Sequence, residues 1–406
     1  MKLFLIKIIL IFLFGFSGLF PASFTDMEFL STDWGGNRTK LKDMGFELSS
    51  RYIFEYWNVE KKFKEQPESF YIQNIDIDFI FDFEKIFGWK GASMLFDLQG
   101  MNGENPNSSL VRSFQGISNI EAWNNFLIYE WWYQQNLFDN KLSFLIGLFD
   151  LNSEFDLTSS KGDFLCPSHG VGTDLALTGV LGPSIFPLTS LAFRTKYTPN
   201  NNFSFSFGVF DGIPGDTNHL IGTHLVLKNS DGLLVIGESK FINSLFPYSD
   251  FKLGFWYYTD EYRHIVSGIK QWGVYAIGEH TFLNPVKSSD KGLTASLRFG
   301  YSDPRTNFTD IFVAGAVRYK GFCDARNNDS FGFGFAYSRL TEFFHRRFSK
   351  PVFSKRHYDL NFEFFYKFQA TGFLSLQPVI TYFIYPASNP IYDGYIVGGL
   401  RLFVQI

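Results

Sequence analysis

The sequence predicts an all-β chain: a transmembrane antiparallel β-barrel of about 16 strands with an inward-folded constriction loop. Three observations predict it. The chain is unusually aromatic without being apolar overall. Apolar and polar residues alternate with a period of two along most of its length. The connections between candidate strands alternate between short and long.

Of 406 residues, 52 are Phe, 20 Tyr and 8 Trp, yet the mean hydropathy is close to zero. A soluble core does not need so many rings, and a bundle of membrane helices would be more apolar. Strands with one face on lipid and the other on water account for both. The net charge is -4, from 36 Lys+Arg against 40 Asp+Glu, which gives no basic footprint for nucleic acid. The seven His are scattered. No HExxH, GxSxG, CxxC or nucleotide-loop pattern occurs, so no catalytic residue, cofactor or metal site is expected.

Residues 1–22 carry Lys2 and Lys7 ahead of an apolar run, the form of a secretory signal peptide. Residues 23–44 form a periplasmic lead-in with a short helix-like stretch. Residues 45–406 form the barrel. No other apolar run approaches the ~20 residues of a helical span. Export makes a disulfide between Cys166 and Cys323 conceivable. The expected topology puts Cys166 in an external loop within reach of outside reagents and Cys323 in a periplasmic turn, so two free thiols are favoured.

The alternation is plainest over 74–84. Ile75, Ile77, Phe79, Phe81 and Phe83 share one face; Asn74, Asp76, Asp78, Asp82 and Glu84 share the other. Over 358–368, Leu360, Phe362, Phe364, Tyr366 and Phe368 face lipid, opposite Asp359, Asn361, Glu363 and Lys367. Residues 202–209, 293–301 and 331–338 repeat the pattern, with Ser204, Ser206, Arg298, Gly332 and Gly334 inside. The last segment puts Leu400, Leu402, Val404 and Ile406 on lipid, with Arg401 and Gln405 inside. Connections at 198–201, 321–326 and 370–372 are short. Those at 58–69, 100–119, 150–190, 211–231, 341–356 and 386–394 are mostly long, as external loops are.

The 150–190 segment is too polar and Gly-broken for strands, and too rich in Phe, Leu and Pro for a solvated loop. It is expected to fold back into the lumen, with Asp150, Asn152, Glu154 and Asp156 narrowing a wet pore. Inward-facing Arg298 and Arg401, with Arg194 and Arg318 as further candidates, offer opposing donors. Carboxylates and amides accept hydroxyl protons and Arg donates in a fork, which is the chemistry that a hydroxyl-rich solute needs. Generic wet lumen residues would look the same, and the row Asp76, Asp78, Asp82, Glu84 reads as a solvated face.

Several segments resemble the carbohydrate-selective porins of the OprB type: 33–38 (DWGGNR), 146–156 (IGLFDLNSEFD), 182–187 (GPSIFP), 208–216, 374–382 and 398–402. They keep the family's order across nearly the whole exported chain. The resemblance implies a barrel of the bacterial outer membrane, passing mono- or small oligosaccharides by facilitated diffusion through an eyelet. Its partners would be sugars and outer-membrane lipid, as a monomer or a homotrimer. A general porin for small hydrophilic solutes is the alternative, and a barrel-embedded hydrolase, with Glu154 and Asp156 as paired carboxylates, a further one.

Overall fold

The computed structural model describes residues 27–61, 68–160, 162–242, 249–261, 268–283, 291–348, 357–388 and 394–406. The expected signal peptide lies outside them. Among the described residues, sixteen antiparallel strands close into one barrel. They are β1 (Phe46–Lys61), β2 (Glu68–Asp82), β3 (Ala92–Gly103), β4 (Asn125–Leu137), β5 (Leu142–Phe149), β6 (Ser190–Asn200), β7 (Phe203–Asp211) and β8 (Leu233–Ile242), followed by β9 (Ser249–Tyr258), β10 (Trp272–Leu283), β11 (Gly292–Ser302), β12 (Thr309–Lys320), β13 (Ser330–Leu340), β14 (Tyr358–Gln369), β15 (Leu374–Ile384) and β16 (Gly394–Gln405). Each pairs with its neighbours in sequence, and β1 closes on β16 in the register Glu55↔Arg401. Closure gives every strand a neighbour on each side, so most of the backbone is hydrogen-bonded without help from lipid.

The alternation sets the two faces. Arg51, Glu55 and Trp57 of β1 point inward, in register with Asp76 on β2 and Arg401 on β16. Phe205, Phe255, Phe299, Phe333 and Phe364 stand exposed on the outer face. Short turns gather at the end that holds Gly45 and Gln405. There a helix at Asn37–Asp43 precedes β1, and the Arg38 guanidinium stacks on Phe29 while donating to the Leu48 carbonyl at 3.3 Å. The long loops gather at the other end.

β5 stops at Phe149, which leaves the outer part of β4 without a strand beside it. The 212–232 loop fills the gap. Thr223 Oγ1 accepts from the Ile128 amide at 2.6 Å and donates to the Ile128 carbonyl at 3.2 Å, and Asn125 accepts from the Gly222 amide at 2.7 Å. Side chains here replace a missing ladder.

Three expectations need correction. The 74–84 alternation does not run through as one strand: β2 ends at Asp82, whose carboxylate caps a helix at Phe83–Phe87, so Phe83 and Glu84 sit in a turn. The 100–119 connection is longer, from Gly103 to Asn125, and it too folds into the barrel. Cys166 is not reachable. It is 1% exposed, its thiol donates to the Gln115 carbonyl at 3.0 Å, and it accepts from Asn361 Nδ2 at 2.8 Å. Burial, with the Glu363 carboxylate nearby, raises this thiol well above its ordinary range and keeps it unreactive. Cys323 is exposed in the β12–β13 turn, and both thiols are free.

These positions predict a labelling pattern. An impermeant maleimide should modify Cys323 in cells with a permeabilised outer membrane and leave it unmodified in intact cells. Cys166 should stay unmodified in both until the protein is denatured. Labelling of Cys166 in intact cells would contradict the buried packing.

Candidate functional site

Residues 150–160 and 162–189, between β5 and β6, lie inside the barrel, because the wall is shaped to receive them. Between Phe312 and Arg318 on β12, and on β13 beside them, the inward positions Ala314, Ala316, Gly332, Gly334 and Ala336 take up little room. A Cβ on Gly334 would run into His169 and Phe164, and one on Gly300 of β11 into Asp174. The loop's own apolar residues complete two cores. Leu151, Phe155 and Leu175 pack with Phe210, Ile236 and Trp256; Phe164 and Leu165 pack with Trp57, Phe365 and Val379.

Polar contacts then fix the loop in place. Arg298 binds Asp156 through Nε at 2.6 Å and Nη2 at 2.7 Å, and Asp174 through Nη1 at 2.7 Å. The guanidinium also lies over the Phe312 ring, 4.9 Å from its centroid. Both carboxylates are 0% exposed and Arg298 is 5% exposed. Glu363 accepts from the amides of Leu165 at 2.7 Å and Cys166 at 2.8 Å. Glu238 accepts from the Asp156 amide at 2.9 Å. Lys252 donates to the Leu157 carbonyl at 2.7 Å. Burial holds the His169 imidazole down at about 4, so it packs against Phe164 as a neutral ring.

The eight residues singled out in the sequence fall into this arrangement as follows. Asp156 and Arg298 are brought together as the buried clamp. Glu154 and Arg194 are also brought together, with Arg194 Nε 2.6 Å from Glu154, and Lys196 joins them at 2.9 Å. Arg194 further donates to Ser143 Oγ and Gln134 Oε1, both at 2.8 Å. Arg318 meets Asp163 of the same loop at 3.0 Å. Arg401 binds Glu55 through Nε at 2.6 Å and reaches Asn119 of the β3–β4 connection. Asp150 accepts from Tyr129 Oη at 2.9 Å and from the Asn152 amide at 2.8 Å. Asn152 donates to the carbonyls of Phe155, Asp156 and Gly170, folding the loop's first turn. For Glu154, Asp156 and Asp163 acid on the loop meets base on the wall, whereas Arg401 pairs with Glu55 within the wall.

The β3–β4 connection is fastened in the same way. Ser113 Oγ and the Phe114 amide donate to Asp359 at 2.9 and 2.8 Å, and Gln115 Nε2 donates to Ser338 Oγ at 2.7 Å.

Sequence reasoning missed Asp163, Asp174, Glu363, Asp359 and Glu238 as fasteners. A signal existed: Asp359, Asn361 and Glu363 form an inward polar row on β14 that needs partners once buried. On another wall sequence reasoning read Asp76 and Asp78 as a solvated face and missed Asp97 and Glu130 beside them. On β2–β4 the carboxylates of Asp76, Asp78, Asp97 and Glu130 point inward across adjacent strands, in the registers Asp78↔Asp97 and Asp97↔Glu130. Arg51 stands beside them, 3.3 Å from Asp76 and 3.7 Å from Asp78, with 42% of its side chain exposed. The loop's ion pairs described above go to β6, β11 and β12, while on β4 and β1 it meets Tyr129 through the Asp150 carboxylate, Glu130 through the Asp150 amide at 3.0 Å, and Trp57 through Phe164 and Leu165.

A family model for carbohydrate-selective porins, the OprB family, matches residues 67–405. Porin B of Pseudomonas aeruginosa is 23% identical over 415 residues, covering 91% of this chain and 89% of that one. The putative porin QuiX of Acinetobacter baylyi is 22% identical, covering 93% of each. Among solved structures, Pseudomonas putida OprB at high pH matches with a TM-score of 0.81 at 20% identity, over 95% of this chain and 100% of that one.

The clamp carries its own test. Arg298→Ala leaves Asp156 and Asp174 buried without a counter-charge, a change that costs about 3–5 kcal/mol at such sites. The variant should keep its barrel but lose the fixed loop, seen as larger and noisier single-channel conductance. Replacing all three residues with apolar ones of similar volume should recover most of the lost thermal stability.

Proposed function

We propose, from the premise that this chain belongs to the carbohydrate-selective porins of the OprB family, that sugars are recognised in the gap between the constriction loop and the β1–β4 wall. The protein is a sugar-selective porin of the bacterial outer membrane. What the reading adds is where the solute is contacted, and by which groups.

The observation that carries it is the contrast between the two sides of the lumen. On the loop side, carboxylates are consumed in pairing: Asp156 and Asp174 by Arg298, Glu154 by Arg194 and Lys196, and Asp163 by Arg318. On the opposite wall, Asp76, Asp78, Asp97 and Glu130 share one cation among the described residues, Arg51, with Gln99 donating to Asp76 at 2.7 Å and the Asp150 amide to Glu130 at 3.0 Å. Four carboxylates there face a single guanidinium. A sugar hydroxyl donates to a carboxylate and accepts from a guanidinium, so a passing sugar can exchange its water partners for these without leaving any polar group unmet. Half-buried Trp132, inward on β4, gives an apolar face at the same level as Leu95 of β3.

Asp150, Asn152, Glu154 and Asp156, with Arg194, Arg298, Arg318 and Arg401, then serve the eyelet by holding its shape. Glu154 and Lys196 also reach its edge: their side chains are 16% and 37% exposed. Such contacts suit facilitated diffusion of mono- or small oligosaccharides, where binding must admit the solute and still release it. A clamp of buried ion pairs keeps the aperture at one size, which favours discrimination over leakage.

Planar-bilayer conductance titrated with glucose, maltose and an uncharged non-sugar solute tests this. Saturable closure by sugar is expected in the wild type, with apparent affinity falling about tenfold in Arg51→Gln, the loss of one charged hydrogen bond. Conductance that falls equally with every solute would leave a general diffusion pore instead.

A further inference from the structure

The constriction is not the first surface that a solute entering from outside meets. Above it, on the long-loop side, two cavities of about 420 Å³ each lie against the β3–β4 connection. They share Asn107, Ser108, Gly116 and Pro167, so they form one two-lobed vestibule. The size falls within the ~300–1,000 Å³ usual for small-molecule sites.

One lobe combines an aromatic ring, a carboxylate and small polar groups. Trp123 is held on two sides. Its indole Nε1 donates to the Leu220 carbonyl at 3.1 Å, and the ring packs against the cluster of Met101, Leu127 and Leu188. Its remaining surface lines the cavity, alongside Pro167 and Pro187. Glu121 is fixed as well: its carboxylate accepts from the amides of Asn107 at 3.0 Å and Ser108 at 3.1 Å. In the other lobe stands Arg112, exposed at a left-handed turn (φ 59°), within a loop that Asn107 braces through Ser113. Gln115 also lines this lobe. It is 0% exposed, and its Oε1 meets no partner among the described residues.

We propose that this vestibule is an outer docking site for a neutral hexose unit, separate from the constriction, in which the unit packs its C–H face on Trp123 and hydrogen-bonds to Glu121 and Arg112. The inference rests on the reading of the chain as a sugar porin. Two features favour a sugar over a charged solute. The acceptor and the donor are one each, so the site is balanced in charge. The ring is immobilised before any ligand arrives, so stacking costs little side-chain entropy. The 212–232 loop, which supplies Leu220 and closes the gap beside β4, thereby holds the docking ring in place.

A site on one side of the constriction gives a side-dependent signal. Single-channel current interruptions by maltose should be measured with the sugar added to the external face and, separately, to the periplasmic face. Trp123→Ala is expected to lower the external association rate roughly two- to tenfold, the worth of one aromatic contact. The periplasmic association rate and the sugar-free conductance should be unchanged. Trp123→Phe should recover most of the loss, and heat-modifiable gel mobility confirms that each variant is a closed barrel. Equal loss from both faces would overturn the proposal by placing the effect at the constriction. No loss from either face would overturn it too. A wild type that maltose does not interrupt would instead refute the sugar-porin reading beneath it.

Discussion

The Arg298 clamp is the contact on which the interior depends. One guanidinium on β11 holds two carboxylates, Asp156 and Asp174, from points 18 residues apart in the constriction loop. Three charges removed from water are tolerable because the pairing is bidentate and the remaining edges are filled by rings and neighbouring hydrogen bonds. Pulling the loop toward β11 requires that nothing obstruct it. That requirement explains Gly300 opposite Asp174 and Gly334 opposite His169. Charge pairing and the small inward residues of β12 and β13 are two halves of one arrangement.

The proposed solute path lies on the side away from the loop's ion pairs, where the loop meets the wall through the Tyr129 hydroxyl, the Asp150 amide and apolar packing. That wall, β1–β4, carries a row of carboxylates with Arg51 among them. In the proposed reading the two sides have different tasks, with ion pairs fixing the aperture on one and polar groups meeting the solute on the other. The aromatic excess belongs mostly to neither: Phe and Tyr serve the outer face, where alternating strands meet lipid.

Much of the fold was legible because a barrel strand declares its two faces at every second residue. The outward direction of Leu360, Phe362 and Phe364 on β14 and the inward positions of Arg298 and Arg401 follow from that period alone. Tyr366 and Phe368, by contrast, are covered by the β12–β13 turn instead of meeting lipid. The 150–190 segment was legible as an infolded loop because its polarity and its ring content contradict each other in any other setting. What failed was local. Asp82 caps a helix where the alternation seemed to continue through Glu84, since a carboxylate suits a lumen face and a helix start equally well. The site was legible in its residues and not in their pairing. Spacing groups Asp150 to Asp156 as one acidic cluster, whereas tertiary contacts divide it among Tyr129, Arg194 and Arg298. Asp97 and Glu130 escaped notice because their strands show weaker alternation, and the bulge at Tyr129 shifts Glu130 into line with Asp97.

The central claim is that solute passes between the loop and the β1–β4 wall, and not behind the loop. Single-channel current in the presence of a water-soluble methanethiosulfonate tests it most directly, in a Cys323→Ser background. Asp78→Cys should react and reduce the current in steps, while Ala336→Cys, behind the loop on β13, should stay silent. Current loss at Ala336→Cys with none at Asp78→Cys would put the pore on the other side of the loop and contradict the account.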